Sequence, residues 1–364
     1  MHELSRLTIA ALLFCYSVSA VTSATAAEDG SSIKRMPNGK PDLSGTYDAG
    51  TVTPVDRPPQ FGDKLYLTPE EAKALEEQSA EFWKAAEANR QGGAEREAPL
   101  AGGDGNNMFG AGGVGGYNAF WIDPGSEAAT VDGKFRTSII YDPPNGRRPQ
   151  MTPAGMAKMM KNFSSFTHVN DGTASWLDRA GPGPFDGPET LALAERCLLG
   201  FSGGPPMLPS LYNNYLRIVQ TEDHVMILNE MVHDVRTVRL DSEHDPADIR
   251  KWLGDSIGYW DGDTLVVESR NFRSETGLYG GDENLHVVER FSRTAEGNLH
   301  YHFRVEDPTA WTAPWAGEYD WKAKDDSRVY EYACHEGNYA MGNILRGARL
   351  LESEYDQPPK SDSR

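Results

Sequence analysis

Polar groups interrupt several faces that residue alternation predicts to be apolar in the C-terminal half of the chain. Side chains two apart on a strand share a face, so the apolar residues at 225–227, 232–238, 285–291 and 329–333 predict an interior that also contains polar groups. These groups are Asn229, Arg236, Glu289 and Glu331. An unpaired buried charge is costly, so they must pair with one another or hold a ligand. A structural ion-pair network, a catalytic or ligand-binding cluster, and a one-residue slip of the faces all remain open.

The same stretch supplies groups for acid–base catalysis. His233 is predicted to act as the base or acid, oriented by Glu230 or Glu289, since these residue types transfer protons without a cofactor. Arg236 and Arg290 are predicted to hold an oxyanion or a carboxylate. Glu230 and His233 are three residues apart, and on a regular strand they would point to opposite faces unless a bulge intervenes. In that case Arg236 would pair with Glu289, and His233 would lie outside.

Aromatic residues cluster in this half and predict either core packing or a stacking surface for a flat or sugar-like ligand. Together with the polar groups they give a predicted substrate-binding set, which is Arg236, Arg290, Asn229, Glu331, Tyr259, Trp260 and His335.

Several kinds of chemistry have no motif in this sequence. It contains no His-Glu-x-x-His, no cysteine pair with zinc spacing, no Gly-x-Ser-x-Gly and no dinucleotide-binding fingerprint between a strand and a helix. We therefore predict no cofactor and no metal. One alternative is a metal site at which two or three strand-region histidines converge. The candidates are His224, His233, His286, His300, His302 and His335.

Composition limits the partners. The 364 residues are 38% apolar and 24% charged, enough apolar mass for a sizeable core. The net charge of −19 repels phosphate backbones and anionic lipid, so neither nucleic acid nor a membrane surface is an expected partner. The expected partner is a small molecule.

The N-terminus predicts export. Residues 1–26 have Arg6, an apolar run over 7–21 and a small-residue cleavage site at 24–26, which are the parts of a secretory signal peptide. Once the signal is cleaved, we expect a periplasmic or secreted protein without a membrane insertion. Cleavage removes Cys15 and leaves Cys197 and Cys334. In an oxidising compartment this pair predicts a disulfide, with two buried free thiols as the alternative.

The region 27–200 is predicted to be helical and rich in loops. Residues 28–62 resemble an extended arm, and 101–117 form a glycine-rich loop able to close over a ligand. A helix is predicted over 68–91, where Thr68, Pro69 and Glu71 form a capping box and first turn. Short strands are predicted at 117–122 and 135–141, and short helices at 153–163 and 188–198.

From 201 to 350 the sequence predicts a β-domain, followed by a polar tail over 351–364. Short connections between successive strands favour antiparallel neighbours, hence an antiparallel barrel or sandwich. Asp261-Gly262 marks a tight hairpin. The predicted strands are 214–220, 224–231, 233–240, 255–260, 263–269, 284–293, 298–306, 316–323 and 328–334.

Several segments together resemble a large group of exported bacterial proteins. They are NGKPDLSGTYD (38–48), Arg196-Cys197, the Glu230/His233/Arg236 spacing, WLGDSIGYWDGDTLVVESRNF (252–272), LHVVERF (285–291), Asp307-Pro308 and YACHE (332–336). The resemblance spans most of the chain after residue 26. It implies a lipocalin-like or related β-barrel in the C-terminal half and no particular activity.

These observations predict an exported enzyme that acts on a small, partly apolar or aromatic molecule by cofactor-free acid–base chemistry, as a lyase, isomerase or hydrolase. A non-catalytic, lipocalin-type carrier of a hydrophobic ligand is one alternative. A metal-dependent enzyme is the other.

Overall fold

Ten strands form one sheet, and nine of them close into a barrel in this computed structural model. The structure describes residues 33–91, 122–168, 171–278 and 280–355, without the side chains of 86–91 and 166–167. The predicted signal peptide, the glycine-rich loop and nearly all of the predicted strand 117–122 lie outside the described residues.

The barrel strands run in the order β1-β5-β6-β7-β8-β9-β10-β11-β12, and β1 also pairs with β12 to close the ring. The mainly-β, lipocalin-like barrel predicted for the C-terminal half is thereby confirmed. The strands are β1 (Gly45–Asp48), β5 (Tyr215–Gln220), β6 (His224–Asn229), β7 (Val235–Leu240), β8 (Asp255–Asp261), β9 (Thr264–Arg270), β10 (His286–Arg293), β11 (Leu299–Glu306) and β12 (Trp315–Ala323).

The N-terminal region contributes strands that were not predicted, and the predicted strand 135–141 is interrupted, with strand residues only at its two ends. Residues within the supposed arm form β1, which fills the gap between β5 and β12. β4 (Ile140–Asp142) pairs with a part of β12 that β1 does not reach. β2 (Thr130–Val131) and β3 (Lys134–Phe135) form a small separate hairpin. The predicted division at residue 200 therefore does not separate the barrel from the rest.

One pair of barrel strands is parallel, contrary to the predicted antiparallel order. β7 and β8 pair from Val238↔Ser256 to Leu240↔Gly258 in the same direction. The connection 241–254 is long enough to return the chain to the starting end of β7, as a parallel pairing requires. The next hairpin is one residue off: Asp261 pairs with Thr264, so the turn is Gly262-Asp263.

Alternation fills the barrel interior. In β11 the odd-numbered residues from Leu299 to Val305 are buried and the even-numbered ones are half-buried. Aromatic rings from β10, β11 and β12 meet at the centre with centroid distances of 4.4 Å for Tyr301–Trp321 and 5.1 Å for Phe291–Tyr301. These contacts bury large apolar areas and dominate the core.

The polar side of β11 faces neither open solvent nor a cavity in the barrel, because a cover from the N-terminal region packs on it. Tyr141 hydrogen-bonds to His302 at 2.8 Å, and the almost fully buried Arg136 lies 3.2 Å from Glu318. Burial would lower the pKa of His300, but Asp320 and Glu318 outweigh it and raise that pKa to about 9.

The helices match the predictions in part. α1 (Pro69–Gln91) begins at the predicted box, in which the Glu71 amide donates to Thr68 Oγ1 and the Thr68 amide to a Glu71 carboxylate oxygen. α2 (Pro153–Asn162) is capped by Thr152, and α3 (Ser164–Thr167) follows it. The predicted helix 188–198 is only a short 3-10 turn, Pro188–Thr190, followed by turns.

The end of the chain differs more strongly from the predictions. The predicted strand 328–334 has no strand pairing and is irregular. α4 (Ala340–Tyr355) occupies residues assigned to the barrel and the polar tail, and its Ala348 packs with Trp176. Across the described ranges, no helix has the length and apolar character needed to cross a bilayer.

Candidate functional site

A buried ion pair occupies the barrel interior. Arg236 on β7 and Glu289 on β10 form a two-pronged pair, with 2.9 Å between Arg236 Nη2 and Glu289 Oε1. The Tyr301 hydroxyl donates to the same carboxylate oxygen at 2.8 Å. Burial would lower the pKa of Arg236, but the Glu289 charge outweighs it and raises that pKa. The polar groups of the interior therefore form a paired network, in which the charges of Arg236 and Glu289 neutralise each other.

Met207 inserts into this network from one end of the barrel. Its amide donates to Tyr301 Oη at 2.8 Å, its carbonyl accepts from Tyr319 Oη at 3.1 Å, and its sulfur lies 3.2 Å from Arg236 Nη2. Met207 is 2% exposed. Protein side chains therefore pack around the Arg236–Glu289 pair, and these contacts occupy the place where a ligand pocket was predicted.

Two backbone residues between β6 and β7 adopt a strained conformation. Val232 and His233 have φ of +60° and +47°, in the left-handed region that β-branched and bulky residues rarely occupy. They lie in the short 3-10 turn Met231–His233, which replaces the end of the predicted strand 224–231 and the start of the predicted strand 233–240. Such strain persists only where the surroundings enforce it, and it concentrates at functional sites.

Asn229 and Glu230 enforce this turn. The Asn229 amide group donates to the Ser202 carbonyl at 2.7 Å and its side-chain oxygen accepts from the Met231 amide at 2.9 Å. The Glu230 carboxylate accepts from the Tyr330 amide at 3.0 Å, and burial raises its pKa. Both predicted site residues are buried, so their observed contacts hold the backbone in place.

His233 and Glu230 reach the same C-terminal segment, because the turn removes the alternation of a regular strand. His233 Nδ1 lies 3.0 Å from the Tyr332 carbonyl, two residues beyond the Glu230 contact. A carbonyl can only accept, so Nδ1 carries the proton and Nε2 presents its lone pair when the ring is neutral. The His233 side chain is exposed, so Nε2 is accessible to solvent or a ligand.

The predicted disulfide fixes this segment to the body. Cys197 and Cys334 are bonded, with 5.8 Å between their Cα atoms and 137 residues between them in sequence. Cys334 follows Tyr332 by two residues, so the bridge holds the carbonyl that orients His233.

A cavity of about 510 Å³ adjoins His233 in the barrel wall between the starts of β7 and β8. Its polar lining includes His233, Asp234, Lys251 and Ser256, and its apolar lining consists of Leu198, Val232, Val235, Trp252 and Leu253. Its size and mixed lining are those of a small-molecule site. We call it the wall cavity.

Asp234 is the second titratable group of the wall cavity. Its Oδ2 accepts from the Gly200 amide at 3.0 Å. Burial raises the pKa of Asp234 to about 6, although that hydrogen bond and the His233 charge lower it. His233 and Asp234, two residue types that transfer protons in catalysis, are thus adjacent in the chain and line one cavity.

The raised pKa of Asp234 predicts a loss of stability as pH increases. Between about pH 4 and 6 the folded chain holds a proton on Asp234 that the unfolded chain has released, so the free energy of unfolding falls across this window. In Asp234→Asn that component should vanish. Urea unfolding of both proteins from pH 4 to 7 measures it: the stability of the parent relative to the variant should decrease with pH, and a constant difference would contradict the assignment.

An ion network shapes the other wall of the cavity. Asp255, 1% exposed, accepts from Arg239 Nη1 and Lys251 Nζ, both at 2.8 Å, and lies 3.0 Å from His244 Nδ1. Burial would raise the pKa of Asp255, but Arg239 and Lys251 outweigh it and hold the pKa far below its usual range. The network ties the connection 241–254 to the start of β8.

The remaining predicted binding residues lie away from the wall cavity. Arg290 points outward and pairs with Asp261 at 2.5 Å. Tyr259 is 52% exposed, and Trp260 packs against the core with Lys40 5.9 Å from its ring. Glu331 and His335 are exposed in the irregular C-terminal segment, so Glu331 shares no barrel face.

The histidines do not converge. His286 lies 2.9 Å from Glu268, His300 lies 2.8 Å from Asp320, and His224 lies 3.0 Å from Asp223. Over the described parts of the chain, no three histidine, cysteine or carboxylate side chains are grouped so as to hold a metal ion. The metal alternative therefore has no supporting cluster among these residues.

Sequence reasoning missed three residues of the wall cavity. Asp234 was not predicted as a site residue, and Trp252 and Asp255 entered only as parts of the 252–272 segment and the predicted strand 255–260. The available signal was their position around a connection too long for a simple hairpin.

Comparison with known proteins returned no match: no protein family model, no curated protein and no solved structure matches this chain. The resemblance to a group of exported bacterial proteins therefore stays a prediction, and the geometry of the wall cavity is what bears on function.

Proposed function

We propose that this protein is an exported enzyme that performs acid–base chemistry, without a cofactor, on a small, partly apolar or aromatic molecule bound in the wall cavity. The observation that carries the proposal is His233, which lines the cavity beside Asp234 and has a strained backbone and an Nδ1 contact to the Tyr332 carbonyl. The disulfide supports export, since such bridges persist in oxidising compartments.

In this proposal His233 removes a proton from the bound molecule or from water. The Tyr332 carbonyl stabilises the imidazolium that results, because it continues to accept from Nδ1. Asp234 donates or receives the second proton, and the pKa of about 6 leaves it in both forms near neutral pH. Elimination, isomerisation and hydrolysis all use this pair of steps.

The proposed roles of Glu289 and Arg236 differ from those predicted from sequence. Their charged groups neutralise each other inside the barrel and are packed by Met207, so we assign them to stability. Glu230 becomes a positioning residue, because it holds the Tyr330–Tyr332 segment that orients His233.

The test is turnover of a panel of neutral aryl esters, aryl amides and β-aryloxy ketones, which report hydrolysis or elimination through phenol or arylamine release. His233→Gln should lower kcat on the preferred compound about 100-fold, the lower end of the usual contribution of a general base. His224→Gln, at the exposed start of β6 and outside the wall cavity, is the matched control and should keep parental kcat.

The pH profile gives a second readout. Turnover by the parent should show an inflection near pH 6 that Asp234→Asn removes. Equal kcat for His233→Gln and His224→Gln, or no turnover of any panel compound, would refute the enzyme proposal.

A non-catalytic carrier is the second candidate, favoured by a different cavity. A space of about 290 Å³ is lined largely by apolar groups from 161–164, 189–194, 199–201 and 275–277. A carrier would hold an apolar ligand there and return it unchanged, so mass analysis of ligand extracted after incubation separates the two functions.

A further inference from the structure

The wall cavity exposes an unpaired strand edge. Val235 and Thr237 are exposed, Arg236 between them is buried, and all three line the cavity. Successive residues whose side chains point in opposite directions can line one space only where the main chain itself borders it. The cavity is therefore a gap between strands.

The hydrogen-bonding direction of this edge follows from the β6–β7 ladder. The Asn229 amide donates to the Asp234 carbonyl and the Leu240 amide to the Asp223 carbonyl, so the even-numbered residues of β7 bond to β6. The amide and carbonyl of Val235 and the amide of Thr237 then point to the opposite side, into the gap. The β7–β8 pairing begins only at Val238, and outside the strand ladders no backbone hydrogen bond among the described residues involves these three groups.

The gap has a structural cause. Pairing between β7 and β8 begins only at Val238↔Ser256. Upstream of Asp255, the turn 251–254 carries the chain away from β7, with Gly254 at φ +71° and its amide bonded to the Lys251 carbonyl at 3.2 Å. The Asp255 network holds this turn in place, so the two strands stay parted.

We infer that the wall cavity binds an extended peptide or peptide-like amide, which adds as a short strand to the edge of β7 from Val235 to Thr237. Unpaired main-chain groups at a sheet edge are the recognition surface used in strand addition. Three residues of edge span about 10 Å at ~3.3 Å per residue, which suits a segment of three or four residues.

The lining also indicates the character of the segment. Leu198 and Leu253 offer apolar contact, and Lys251 is neutralised by Asp245 and Asp255. A charge-neutral segment with an apolar side chain fits this lining better than an acidic or basic one. Because His233 lies two residues before the edge, the bound segment would also be the substrate class of the proposed enzyme. Only that part of the inference rests on the proposed function.

The test is NMR titration of the full chain with acetyl-Ala-Leu-Ala-Ala-amide and with counterparts N-methylated at one amide each. Alternate amides of an added strand face the edge, so methylation should weaken binding about tenfold at alternate positions and much less at the intervening ones. Shifts should centre on the Val235 and Thr237 amides. Absence of binding, or equal tolerance of every methylation, overturns the inference.

A backbone variant tests the same edge from the protein side. Val235→Pro removes a donor that faces the gap and bonds to no residue of β6, and Asp234 already has the extended conformation that precedes proline (φ −64°, ψ 132°). It should lose binding about tenfold relative to Val235→Ala, which trims the same side chain but keeps the amide. Equal binding by both variants contradicts the inference. If Val235→Pro does not fold, the methylation series on the parent protein decides.

The two proposals fail separately. Alternating sensitivity to methylation together with turnover that ignores His233 would sink the enzyme and keep the peptide site. His233-dependent turnover of aryl compounds with no peptide binding would do the reverse.

Discussion

Glu289→Ala should lower the free energy of unfolding by about 3–5 kcal/mol. The substitution leaves the Arg236 guanidinium, 3% exposed, without its carboxylate partner inside an aromatic core, and an uncompensated buried charge is among the largest single destabilisations known. The Tyr301 hydroxyl loses its acceptor as well. Urea unfolding at pH 7 measures the difference.

The matched control replaces both charges. In Arg236→Met with Glu289→Leu, apolar side chains of similar size fill the space, so most of the lost stability should return. If the double variant is as unstable as Glu289→Ala, packing and not the orphaned charge is responsible. Glu289→Ala retaining parental stability would show that the pair is not buried as described.

Replacing both bonded cysteines by serine should lower stability by about 2–5 kcal/mol. In the chain-entropy model, a bridge spanning 137 residues restricts the unfolded chain strongly, and the estimate for such a loop is ~5 kcal/mol. Native disulfides commonly contribute less than this limit. Thermal and urea unfolding of Cys197→Ser/Cys334→Ser against the parent measure the loss.

The same variant also reports on the site. Without the bridge the Tyr330–Tyr332 segment depends on its contacts to Glu230 and His233, so the orientation of the imidazole should loosen. The proposed function then predicts a fall in kcat at temperatures where the variant is still folded. Glu336→Gln, an exposed change next to this segment, is the control and should alter neither quantity. A double variant with parental stability would contradict the structural role of the bridge.

The candidate site lies in the barrel wall because other side chains fill the barrel interior. Lipocalin-like barrels hold ligands where the interior is left unfilled. Here the 205–208 segment places Met207 against Tyr301 and Tyr319, and the aromatic rings of β10–β12 occupy the remainder. The parallel β7–β8 pair begins only at Val238, which leaves a gap between the two strands next to His233.

Local patterns in the sequence were sufficient for much of the fold. The alternation in 299–306 predicts β11 and its buried face, and the Thr68/Glu71 box predicts the start of α1. The Arg236–Glu289 pairing was also accessible as one alternative, since both residues fall on apolar faces. These features depend on residues close in sequence or on burial, and both produce regular patterns of residue types in the sequence.

The features that were predicted incorrectly depend on contacts between distant segments. β1 is a strand because β5 and β12 leave a place between them, and nothing in 45–48 marks it locally. The apolar spacing of 328–334 predicts a strand, but this segment pairs with no strand that the structure describes, and the bridge at Cys334 holds it to the segment around Cys197. Strand propensity becomes a strand only where a partner is present.

The sequence by itself determined that this chain builds a β-rich barrel with ionisable groups among its inward-facing side chains, because period-two alternation and charge placement are properties of single segments. Only the tertiary structure decided that the interior is full and that His233, Asp234 and the edge of β7 form the cavity. This arrangement depends on Met207, which fills the barrel interior, on the connection 241–254 and on the disulfide between Cys197 and Cys334. All three are long-range contacts, which the spacing of residues along the chain does not encode.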